Sequence, residues 1–152
     1  AVARLAPRYL VADCTVPRSR LPQALREVRE IASRHDLAVG NVFHAGDGNL
    51  HPLLLFDPRL PGRKDDVHAA GWEVMEACVR LGGTITGEHG VGLEKKEALR
   101  LVFSEDDLAL MKLVKGAFDP DDRLNPGKVL PDDIQPGNLP PLSDFDPGRP
   151  EP

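Results

Sequence analysis

Asp47-Gly48 is the feature that most constrains how this chain folds. Asp-Gly is a preferred pair for a two-residue type I′ turn, whose central residues both need φ > 0. It lies between two apolar, β-rich runs, Leu37 to Ala45 and Leu50 to Phe56, so the segment predicts a β-hairpin. If Asp47-Gly48 is the whole turn, Gly46 pairs with Asn49, Ala45 with Leu50 and His44 with His51. Directly opposed residues share a face, with Cβ atoms about 4.5–5.5 Å apart. Two imidazoles placed that way could share one metal ion. Asn49, two residues from His51, falls on the same face. On one straight strand the two histidines would face opposite ways, so the turn is what makes them a candidate chelate.

The rest of the pattern places helices around that hairpin. Tyr9 to Val16 reads as a strand ended by Pro17, and Pro22 suits the first turn of a helix. Leu21, Leu25, Val28, Ile31 and Ala32 recur at helical spacing and predict a helix to about His35. A second helix is predicted over Lys64 to Leu81, with Val67, Ala70, Val74, Ala77, Cys78 and Leu81 inward and Trp72 available to anchor it on a neighbour. Gly82-Gly83 ends it, and Thr84 to Thr86 form a short strand or loop. A short helix is predicted at Leu93 to Leu101, and Ser104 with Asp107 predicts a capped helix to about Ala117. The order strand, helix, strand, strand implies an α+β fold with helices on one face of a mainly antiparallel sheet. From Pro131 to Pro152 there are seven prolines and no apolar periodicity, so this tail is expected to be extended or poorly ordered.

Composition narrows the function classes. At 152 residues, 41% hydrophobic and 28% charged, the chain suits one globular domain of ordinary size. Net charge is −5 and the nineteen basic residues are scattered, which argues against nucleic acid as a partner. No apolar run approaches the roughly 20 residues of a membrane span. Cys14 and Cys78 lack the paired spacing of a zinc knuckle or redox motif, which fits structural thiols in a reducing, cytoplasmic setting. The first residue is Ala1, and the chain is read as a piece of a longer polypeptide.

A second polar motif, Gly87-Glu88-His89-Gly90, lies in a glycine-rich stretch, where backbone can approach a ligand closely. On its own it is what an ordinary polar loop contains. Counted with His44 and His51, it adds a carboxylate and a third imidazole. Two histidines and a glutamate are a common catalytic ligand set that leaves coordination positions for water or substrate.

These motifs, His44 through Gly46-Asp47-Gly48-Asn49 to His51, Gly87-Glu88-His89-Gly90-Val91-Gly92 and Asn125-Pro126-Gly127-Lys128, resemble the three signatures of the C-terminal domain of FAD-linked oxidases. That group lies within the vanillyl-alcohol-oxidase type of flavoproteins, and the likeness is strongest to the flavoprotein subunit of bacterial glycolate oxidases. It runs from about Ala1 to Leu130 and makes 1–130 the cap domain, with 131–152 a separate tail. The resemblance implies a ferredoxin-like α+β cap beside an N-terminal FAD domain that this sequence lacks. It implies that His44, His51 and Glu88 bind a divalent metal, zinc or manganese, that Asn49 contacts substrate, and that His89 takes the proton of the substrate hydroxyl. Asn125-Pro126-Gly127-Lys128 would either return toward the flavin or form a simple Pro-Gly turn.

The implied reaction oxidises a small 2-hydroxy acid to a 2-oxo acid, with hydride passing to FAD. Relatives acting on larger substrates place a lysine in the first strand. Tyr9-Leu10-Val11-Ala12-Asp13 has none, which favours a small acid. A D-lactate or D-2-hydroxyglutarate dehydrogenase is the alternative within the family. Implied partners are a second flavoprotein-like subunit and an iron–sulfur subunit, with any membrane association peripheral and through them. From other classes, a metal-dependent hydrolase would use the same ligands to activate water, and a non-catalytic metal-binding module would use them structurally.

Overall fold

In the computed structural model, which describes residues 4–135, the chain divides into two compact units, Ala1–Val91 and Gly92–Pro152. The first is α+β. Its strands are β1 (Arg8–Val11), β2 (Cys14–Thr15), β3 (Ala38–His44) and β4 (Asn49–Phe56), and its helices are α1 (Leu21–Arg34) and α2 (Arg63–Arg80). β4 is central and every pairing is antiparallel: β1 and β2 lie along one edge of it, β3 along the other.

β1 and β2 hold one register against β4. Val11 pairs with Leu53 and Cys14 with Leu50, and the Ala12 amide donates to the Pro52 carbonyl at 3.0 Å between them. Continuing that register puts Asp13 opposite His51. Thr84 makes a single bridge to Thr15, at the place a fourth strand would take in a ferredoxin-like sheet. The layout fits the α+β, ferredoxin-like expectation.

Alternation along β4 separates its two faces. Leu50 and Leu54 are fully buried and point to the helix side with Leu10. There α2 comes so close that a Cβ on Gly71 would lie 2.8 Å from Leu10 Cδ2. Val28, Ile31 and Ala32 of α1 and Val67, Ala70 and Val74 of α2 are buried as well, each valine or isoleucine contributing about 1.5–3 kcal/mol. In α1 the buried set includes Ala24, while Leu25 is half-buried. Outside this core, Glu73 of α2 joins Arg34 and the His35 imidazole at the end of α1, Nε2 to Oε1 being 2.7 Å.

One sequence expectation for this unit changes. The hairpin loop is four residues rather than two: His44 pairs with Asn49 and Val42 with His51. The His44 carbonyl accepts from both the Asp47 and Gly48 amides, at 3.0 and 3.1 Å, and Gly48 takes the left-handed conformation at φ 76°. The tip is docked rather than free. Val16 N donates to the Gly48 carbonyl at 3.0 Å, and a Cβ on Gly48 would overlap the Val16 carbonyl. Trp72 is 36% exposed, and its indole N–H donates to Glu76 one turn on.

In the second unit, α3 (Glu105–Phe118) begins at a full capping box. Ser104 Oγ accepts from Asp107 N, and Asp107 Oδ2 accepts from Ser104 N at 2.9 Å. The helix predicted at Leu93–Leu101 is instead a run of turns ending in a 3-10 segment, Glu97–Leu101, following Gly90 and Gly92 at positive φ. Pro131 and Ile134 are buried, and the predicted tail from 136 onward lies outside the described residues. No described helix is long and apolar enough to cross a membrane.

Candidate functional site

The face of β4 opposite the helices carries polar residues in two rows. Thr15, Asn49 and His44 form one, through the pairs Thr15–Asn49 and Asn49–His44. Asp13 and His51 form the other, which ends on the apolar Val42. The corrected register differs from the predicted one by two residues, and side chains alternate with period two, so His44 and His51 still share a face. They are diagonal neighbours rather than direct partners, with ring centroids 5.5 Å apart and planes at 87°.

Residues 84–91 cross this face and bring Glu88 and His89 to the histidines. Glu88 Oε1 lies 2.9 Å from His51 Nε2, 3.5 Å from His44 Nε2 and 3.9 Å from His89 Nε2. The His89 ring stacks on His51 at 4.8 Å, nearly parallel. Asn49 Nδ2 sits 3.4 Å from His51 Nε2. The five predicted residues of this unit therefore meet in one place. His51 is 6% exposed at the floor, whereas the side chains of His44, Glu88 and His89 are about half exposed. Asn125, the sixth predicted site residue, belongs to the other unit, where its carbonyl accepts from Lys128 N in a turn.

Two glycines allow the loop to lie this low. A Cβ on Gly87 would fall within 2.6 Å of Asn49 Cγ and Thr15 Oγ1, and one on Gly83 would overlap the Thr15 carbonyl. What holds the loop is Asp13, which sequence reasoning gave no role. Its Oδ2 accepts from the Thr86 hydroxyl at 2.6 Å and from the amides of Gly87, Glu88 and His89 at 2.9, 3.2 and 3.0 Å. Burial by itself would raise the Asp13 carboxyl. The Thr86 hydroxyl, then the amides of His89, Gly87 and Glu88, outweigh burial and hold the group at about 2. The available signal was a carboxylate inside an apolar strand, since a fully buried Asp needs partners.

The donor set suits a divalent cation. One ligand atom each from His44, His51 and Glu88 lie within 4.8 Å of one another. Metal–ligand bonds of about 2.0–2.2 Å imply ligand atoms roughly 3.3–3.6 Å apart in a tetrahedron; around Glu88 the 3.5 Å separation falls in that range and the 2.9 Å one lies below it. With neutral imidazoles the two carboxylates leave the cluster negative. Among the described residues, the buried Asn49 Oδ1 has no hydrogen-bond partner, which leaves one acceptor for a group from outside.

Comparison with known proteins identifies the family. The family described as FAD linked oxidases, C-terminal domain, matches residues 1–129. Glycolate oxidase subunit GlcD of Escherichia coli (strain K12) is 47% identical over 131 residues, 86% of this chain and 26% of that protein. The Bacillus subtilis (strain 168) protein of the same name is 42% identical over 135 residues, 89% of this chain and 29% of that one. The mitochondrial D-lactate dehydrogenase [cytochrome] of Arabidopsis thaliana is 32% identical over 122 residues, 80% and 22% of the two chains. The chain thus spans about a quarter of the length of the curated relatives it matches. On the match across 1–129 and these identities, the chain belongs to the family of C-terminal domains of FAD linked oxidases.

Proposed function

We propose that this chain supplies the metal and substrate side of an FAD-dependent enzyme that oxidises a small 2-hydroxy acid to the 2-oxo acid, as the name glycolate oxidase says of its relatives. The observation that carries the reading is the convergence of His44, His51 and Glu88 on one point with His89 and Asn49 beside them. His44, His51 and Glu88 would hold a divalent ion, zinc or manganese. Bound together, the ion would lower the pKa of a chelated substrate hydroxyl and the flavin would take the α-hydrogen as hydride.

The remaining work falls to side chains of this chain. His89, half exposed and stacked against His51, would accept the hydroxyl proton as general base. Asn49 offers its unpartnered Oδ1 and its amide to orient the acid. The buried floor of His51 and Asn49 excludes water from one side. In this proposal the flavin is held by the part of the full-length protein outside the matched quarter. Electrons leave through partner subunits in the cytoplasm or at the membrane surface.

The test uses the full-length protein, a panel of 2-hydroxy acids and a dye acceptor. Wild type should contain about one divalent ion and turn over a short acid. His44→Ala should lose the ion, and His89→Ala should keep it while turnover falls by about 10²–10⁴-fold. Full activity in a His44→Ala protein free of metal would overturn the metal role. Ester or amide hydrolysis with no need of an acceptor would favour a hydrolase instead.

A further inference from the structure

We infer that Asp13 is the positioning residue of the site, one carboxylate that both hangs the Glu88–His89 loop and orients His51. Its two oxygens face different halves. Oδ2 gathers the Thr86 hydroxyl and three consecutive backbone amides, so beyond the Thr84–Thr15 bridge the segment bearing Glu88 and His89 converges on one carboxylate oxygen. Oδ1 lies 3.5 Å from His51 Nδ1, on the cross-strand neighbour that the register places beside it. Asp13 is fully buried and His51 nearly so, and among the described residues His51 Nδ1 makes no formed hydrogen bond.

The consequence for His51 rests on the metal reading above. An imidazole that gives Nε2 to a cation carries its proton on Nδ1, and a carboxylate facing Nδ1 fixes that tautomer and the ring plane. A closure of about 0.5 Å brings the pair to ordinary hydrogen-bond length. The same carboxylate then sets the distance between His51 and Glu88, because it holds one directly and the other through its backbone amide. Asp13 touches no reacting atom in this arrangement, so its role is geometric.

Asp13→Asn separates the two halves. The Asn carbonyl oxygen must face the four donors of the loop, which leaves the amide nitrogen, itself a donor, against His51 Nδ1. In the full-length protein, hydrogen exchange of the metal-free form should then stay within about twofold of wild type at residues 87–89. Affinity for zinc or manganese, measured by chelator competition, should fall about 10–100-fold. Asp13→Ala should raise exchange at 87–89 at least tenfold and lose the ion at least as far. Thr86→Val, which deletes one donor of four, should raise exchange less and serves if the alanine variant does not fold.

A purely structural role would move exchange and affinity together in the asparagine variant. Wild-type affinity in Asp13→Asn would overturn the His51 half. Unchanged exchange in both Asp13→Ala and Thr86→Val would overturn the loop half. Wild-type protein that takes up no ion would overturn the metal reading itself, and exchange alone would then decide the loop half.

Discussion

Leu50 and Leu54 lie on one face of β4, Asn49 and His51 on the other, and all four are buried. Their cover differs. The leucines meet apolar side chains from two amphipathic helices, for which volume and water exclusion suffice. The polar pair meets an irregular loop that must supply a partner for each buried donor and acceptor or leave it open to a ligand. Near the helices, the carboxylate of Glu73 is matched by the Arg34 guanidinium and the His35 ring. On the opposite face, the contacts of the Glu88 oxygen are to three imidazoles. The first cluster closes on itself as a strut, and the second has donor atoms to spare. Equal burial on the two faces therefore reports stability on one and binding capacity on the other.

Substitutions on each face test that division. Leu54→Ala should cost about 2–5 kcal/mol in unfolding free energy, as a cavity in the fully buried leucine row, while metal affinity per folded molecule stays unchanged. A large change in affinity would mean the faces are coupled. Gly87→Ala should cost roughly 1–3 kcal/mol by overpacking, because the new Cβ falls within 2.6 Å of Asn49 and Thr15 atoms. Unlike Leu54→Ala it should also lift the loop and weaken metal binding, which calorimetric titration reads directly.

The smallest effect belongs to the strut. The His35 hydrogen bond, then that of Arg34, holds the Glu73 carboxyl below its ordinary value of 4.5. A depressed carboxylate adds stability that is complete above the unfolded value and lost as pH falls through the folded one. The thermal-stability gap between wild type and Glu73→Gln should accordingly be present at pH 7 and shrink as pH drops below about 4.5. A gap that holds constant to pH 3 would remove the strut from the stability of the helix face.

Local rules carried far in this chain. Pro22 sits in the first turn of α1, Ser104 and Asp107 form their capping box, and the apolar rows of α2 face inward, because each depends on neighbours within a few residues. The hairpin was legible in existence and in face, but not in register. Asp-Gly satisfies a two-residue turn and equally a four-residue loop with Gly48 left-handed. Docking of the tip on Val16 accompanies the longer loop, and that contact spans 32 residues of sequence. The four ligand-rich residues of the site and Asn49 were legible as a motif. Asp13 was not, because its partners lie 73 to 76 residues away.

The tie between Asp13 and the Thr86–His89 segment also fixes when the site comes into being. The hairpin that brings His44 and His51 to one face closes over a short loop and is available to a growing chain as soon as β4 has formed. Glu88 joins only after all of α2 has been made and the chain has returned to the first strand. Closing that loop is a slow, entropically costly contact of high sequence separation. On the proposed metal reading, a cation captured before then would have two ligands, and one captured after would have three. Tight binding would then be a property of the finished fold and would report its completion.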